Sequence, residues 1–153
     1  MSRRTSLIFL ALLIPAALVS QTASKNLAVG TWKLNTAKSK YDPGPVPKSA
    51  TVTIGEDNKI QFSEETADAK STSWSVVPTA DGTPAPIVGA GENSTLVEKR
   101  IDGRHVEHTW KIGSGTQTGK SVLSKDGKTM TYTLTGTGGD GKPVHNVEIF
   151  EKQ

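Results

Sequence analysis

The sequence predicts an all-β fold, an up-and-down antiparallel β-barrel of about 8–10 strands. Three observations carry this. Apolar content is only 34% while Thr, Ser, Gly and Lys recur throughout, which suits many short strands with one wet face. Apolar residues alternate in period two along most of the chain, with no intervening helix. Turn-forming groups such as Glu56-Asp57-Asn58, Asp102-Gly103 and Asp126-Gly127 separate the runs. Sequential hairpins of this kind close most simply as a barrel.

Residues 1–20 read as a signal peptide, with cleavage possible up to residue 24. Ser2-Arg3-Arg4 is a positive start, and the apolar run over residues 7–19 is too short to span a bilayer comfortably. Residues 21–27 read as a short tether and residues 28–153 as one barrel domain. The expectation is an exported protein, periplasmic or secreted. The chain has no cysteine, which excludes disulfides, thiolate chemistry and lipid attachment through cysteine. No stable membrane anchor is therefore expected once the leader is removed. The formal net charge is +3, but Arg3 and Arg4 belong to the leader, so the mature domain is nearly neutral and a nucleic-acid partner is not expected.

Gly30, Trp32 and Leu34 alternate with Thr31, Lys33 and Asn35 as a half-buried first strand. Residues 37–48 hold three prolines and Gly44, which forbid helix or central strand and predict an extended surface loop. Ala50, Val52 and Ile54, then Ile60 and Phe62, form a hairpin. Thr72, Trp74 and Val76 mark a further strand, and residues 81–91 are irregular and long enough for a functional loop. Residues 96–101 and 104–112 make a hairpin whose connector, Asp102-Gly103, suits positive φ angles. The inward face of residues 96–101 is ambiguous. Val106, His108, Trp110 and Ile112 share one face, which leaves His108 as the polar member of an apolar row. Residues 115–124 form a strand, and Met130, Tyr132 and Leu134 alternate with threonines in the next. Residues 136–141 read as a flexible turn before the last strand, residues 143–151.

Gly30-Thr31-Trp32-Lys33-Leu34 matches the Gly-x-Trp opening of the calycin group, the lipocalins and intracellular fatty-acid-binding proteins. The closing Ile149-Phe150-Glu151-Lys152 is similar to the end of the fatty-acid-binding type. The segments GTWKLNTAKSKYDPGPVPKS and SKDGKTMTYTLTGTGGDGKPVHNVEIFEKQ resemble small exported bacterial proteins described as lipocalin-like, across nearly all the mature chain. The resemblance implies a barrel and not a particular ligand. Fatty-acid-binding proteins hold a carboxylate with Arg-x-Tyr on the last strand, where this chain has Glu148-x-Phe150, a place that would repel an anionic head group. Their two helices after the first strand are replaced by the Pro-rich loop. Lipocalins pack a late arginine across the Gly-x-Trp tryptophan; no arginine follows Arg104, and Lys152 is the available substitute.

The expected function is binding of a small, mostly apolar ligand inside a partly filled barrel. Trp32, Phe62, Trp74, Trp110 and Tyr132 are the expected lining, with Arg100 and His108 as polar anchors and the loops at residues 43–47 and 81–91 near a mouth. Glu98 and Arg100 also read, more readily, as a solvated pair. His105 and His108 fall on opposite strand faces, so with Glu107 they do not make a metal site. No metal or other cofactor is expected. With no Gly-x-Ser-x-Gly elbow and no His and acid pair around a serine, no enzymatic activity is expected. The glycines at residues 113–115 and 136–141 read as strand connections rather than phosphate cradles. The alternative is a filled barrel serving as an interaction or cell-envelope structural module that binds a protein or polysaccharide, through threonine-rich faces such as residues 129–135. Oligomeric state is open at this level.

Overall fold

The computed structural model describes residues 26–79 and 81–153; the predicted signal peptide and most of the tether lie outside the described residues. Every regular element described is a strand: β1 (Gly30–Leu34), β2 (Lys40–Asp42), β3 (Ser49–Ile54), β4 (Ile60–Glu65), β5 (Ser71–Val76), β6 (Ala85–Pro86), β7 (Thr95–Arg100), β8 (His105–Ile112), β9 (Gly115–Leu123), β10 (Thr129–Thr137) and β11 (Pro143–Lys152). All pair antiparallel, ten of them in the order β5-β4-β3-β1-β11-β10-β9-β8-β7-β6, with β2 pairing to β11 off this path. The two ends of this order meet where Ser75 and Val88 exchange backbone hydrogen bonds of 2.9 and 2.8 Å, so the sheet is a nearly closed barrel. The first strand pairs with both β3 and the last strand, Trp32 lying opposite Val52 and Lys152.

Period-two alternation becomes rows of the pleat. One inward row runs Glu98, His108, Gly119, Leu134, Asn146 and Tyr41 across β7, β8, β9, β10, β11 and β2. The next runs Arg100, Val106, Ser121, Tyr132 and Glu148. The ladder to Trp110 and His108 thus settles the phase of β7, with Leu96, Glu98 and Arg100 on the inner side. Two apolar clusters fill the barrel. Trp32, Leu34, Ala50, Leu123, Met130 and Phe150 form one, and Val76, Ala85, Ile87, Leu96 and Trp110 the other.

Three local expectations are corrected. The Pro-rich loop contains β2, which pairs with β11 and carries Tyr41 into the inward row, because tertiary pairing supplies hydrogen bonds that local sequence does not call for. Neither Asp102 nor Gly103 takes a positive φ. Instead the Asp102 carboxylate accepts from the Arg104 and His105 N–H groups at 2.7 and 2.9 Å, an Asx-type turn. Gly136 belongs to β10 rather than to a turn, where an added Cβ would collide with the Thr116 carbonyl.

Candidate functional site

Between the two clusters the side chains do not fill the barrel. They leave a cavity of about 120 Å³ walled by Phe62, Trp74, Trp110, Tyr132, Phe150 and smaller apolar residues, with Glu98, His108, Ser121 and Glu148 interspersed. Its exposed wall residues, Asn58, Arg100 and Gly103, belong to or adjoin the β3–β4 and β7–β8 turns, so the cavity opens there. Neither loop expected near a mouth contributes to the wall. The Pro-rich loop is held along β11 through β2, and Ala85 and Ile87 of the other loop are consumed in the core.

Six of the seven predicted lining residues come together. Phe62 stacks on Trp74 at 5.0 Å, and Trp74 meets Trp110 edge-on at 5.1 Å. His108 lies 6.1 Å from Trp110 and 5.6 Å from Tyr132, so an aromatic band crosses the wall. Arg100 stands at the exposed mouth rather than deep in the interior. Trp32 is fully buried but does not reach the wall; its indole N–H donates to the Ala28 carbonyl at 2.8 Å, inside the first cluster.

Tyr132 owes its place to a glycine. A Cβ at Gly119 would overlap the Tyr132 hydroxyl, so only glycine lets the phenol cross β9 and accept the Trp110 indole N–H at 2.6 Å. Burial pushes the Tyr132 hydroxyl pKa well up, so it remains protonated. Among the described residues its O–H finds no acceptor. His108, nine-tenths buried, turns Nε2 toward the Glu98 carboxylate at 3.5 Å, while its Nδ1 has no partner. Glu98 is thus an inward group facing His108, not a solvated partner of Arg100. His105 lies apart, its Nδ1 2.8 Å from the Asp102 carboxylate outside the cavity.

The sequence reading passed over Gly119 and Ser121 as site residues. A glycine in the middle of a strand was the available signal for the first, since it marks close approach of another group. Glu148 is 8% exposed and accepts from the Asn146 amide at 3.3 Å. Burial first, then the Glu64 charge, raises its pKa to about 7, against lowering by Asn146 and Tyr41. Near neutrality this carboxyl is therefore harder to ionise than an ordinary glutamate, and it repels an anion less. No family model, curated protein or solved structure matches the chain.

Proposed function

We propose that the protein is an exported, lipocalin-like carrier that binds a small, mostly apolar ligand inside the barrel. One observation carries this reading: the aromatic-walled cavity between the two clusters, open at the β3–β4 and β7–β8 turns. Its volume is below the roughly 300 Å³ of common ligand sites but close to the roughly 150 Å³ engineered cavity that takes up benzene. The ligand is accordingly about one ring in size. The proposed chemistry is recognition of that ligand by the cavity wall.

Trp74 and Trp110 lie on the wall and report on it. Titration with monocyclic apolar compounds should give a saturable change in tryptophan emission, and Val106→Trp, which fills the cavity, should remove it. Absence of any saturable change in the wild-type protein overturns the reading. A second reading, the envelope-structural or interaction module, draws on the outer face of β3, β4 and β5. There Thr51, Thr53, Gln61, Ser63, Ser73 and Ser75 line a shallow groove of about 520 Å³ suited to a polyhydroxylated chain. Polysaccharide pull-down by a cavity-filled variant as effective as by wild type would favour that reading.

A further inference from the structure

The barrel interior holds a buried acceptor without a donor and a buried donor without an acceptor, on neighbouring rings. Glu98, which accepts only, faces His108 Nε2 at 3.5 Å; in the tautomer protonated at Nε2, which this contact favours, Nδ1 is a lone pair without a partner. Tyr132, 5.6 Å away between ring centroids, already accepts from Trp110, and its own O–H is undelivered. Leaving such groups unpaired in a low-dielectric interior is costly, and a ligand that pairs both recovers that cost.

Resting on the carrier reading above, we infer that the cavity selects a phenol-class ligand, a single apolar ring bearing one hydroxyl, with that hydroxyl donating to His108 Nδ1 and accepting from the Tyr132 O–H. The chemistry discriminates among head groups. A hydroxyl both donates and accepts; a carboxylate only accepts, an ammonium only donates, and a methyl does neither. Glu98 disfavours an anion at the His108 end of the cavity, while Arg100 and Arg104 lie by the β7–β8 turn at the mouth. The body is a ring because about 120 Å³ admits little more, and because Phe62, Trp74 and Trp110 offer stacked and edge-on partners to a flat molecule. A site built to pair a substrate hydroxyl rejects the analogue that lacks it more strongly than an apolar pocket rejects a missing methylene.

Phenol and toluene are nearly isosteric, which makes the test direct. Calorimetric titration of the mature protein with phenol, toluene and benzoate should give phenol at least tenfold tighter than toluene, and benzoate weakest. Tyr132→Phe and His108→Phe, each checked for native circular dichroism, should bring the phenol-to-toluene ratio close to one while toluene still binds. Equal binding of phenol and toluene by wild type overturns the hydroxyl assignment and leaves the carrier reading standing. A phenol preference that survives both substitutions, or tighter benzoate binding, overturns it as well. If none of the three binds, both the assignment and the carrier reading fail.

Discussion

The ammonium of Lys152 sits 5.0 Å from the centroid of the Trp32 indole and donates to the Leu27 carbonyl at 2.8 Å. One side chain on the last strand therefore covers the tryptophan of the first and ties down the segment ahead of it. Gly30 makes this possible. Its φ is 137°, and a Cβ there would come within 2.8 Å of the Lys152 Cε. Glycine, tryptophan and lysine form a single device that joins the two ends of the chain, with the lysine stem packed over the ring and its head left in water.

Trp32→Ala should lower unfolding stability by about 3–5 kcal/mol, as removal of a fully buried large side chain does. Lys152→Ala should cost about 0.5–1 kcal/mol, and its effect should shrink in the Trp32→Ala background, where only the hydrogen bond to the Leu27 carbonyl is left to lose. Urea denaturation of the four proteins measures this. A Trp32→Ala loss well under 1 kcal/mol would show that the barrel ends are held by something else.

Gly119→Ala tests the crossing of Tyr132 over β9. The added methyl overlaps the phenol, so the ring must retreat and release the Trp110 indole, at a cost of about 1–3 kcal/mol. Shortening the intruding side chain removes the conflict. Gly119→Ala should therefore be less damaging in a Tyr132→Leu protein than in wild type, and the Trp110 indole proton should shift in nuclear magnetic resonance spectra. Additive losses would refute the contact.

Closure of the barrel depends on a short bridge. Gly89 has φ 96°, and a Cβ there would lie 2.6 Å from the Ser73 carbonyl, so Gly89→Ala both strains the backbone and pushes the segment off β5. The cost should be about 1–3 kcal/mol. Amide exchange should accelerate at Ser75, whose N–H bonds the Val88 carbonyl, while β10 remains protected between two neighbours. Unchanged exchange at Ser75 would mean that the bridge does not close the barrel.

The strands were legible because period two is strong where a single face is buried, as at Val106, His108 and Trp110, and the same row exposed His108 as an inward polar group. Residues 96–101 resisted the same reading. Leu96 and Val97 are adjacent and both apolar, and only pairing with Trp110 and Thr109 decides between them. Tyr41 was illegible for a different reason, since β2 exists through long-range pairing with β11 and has no pattern of its own. The mouth depended on how the turns were spent. The long loops looked available in sequence, yet one is pinned to β11 and the other fills the core, which leaves the short turns around Asn58 and Gly103 to frame the opening.

Glu148 should make the protein less stable as the pH rises toward neutrality. Its carboxyl is faced by Asn146 on its own strand, Tyr41 on β2 and Glu64 on β4, and its pKa stands at about 7 against an ordinary 4.5. The folded state thus holds this proton more tightly than the unfolded chain does. The stabilisation is complete below pH 4.5 and is lost as the pH rises through 7. Glu64, also raised by burial, acts in the same sense. Asp102 works in the opposite direction at acid pH. Drawn down to about 2 by the Arg104 N–H and then by His105, it stabilises above its ordinary range and ceases to do so as the pH falls through 2. Maximum stability is therefore expected at about pH 4–5. Glu148→Gln keeps an acceptor for the Asn146 amide but cannot ionise. It should flatten the decline between about pH 5 and 8 and raise stability at about pH 8 by roughly 2–4 kcal/mol. Urea midpoints across that range decide the matter, and a wild-type midpoint that climbs between them would show that Glu148 is ionised in the folded barrel without penalty.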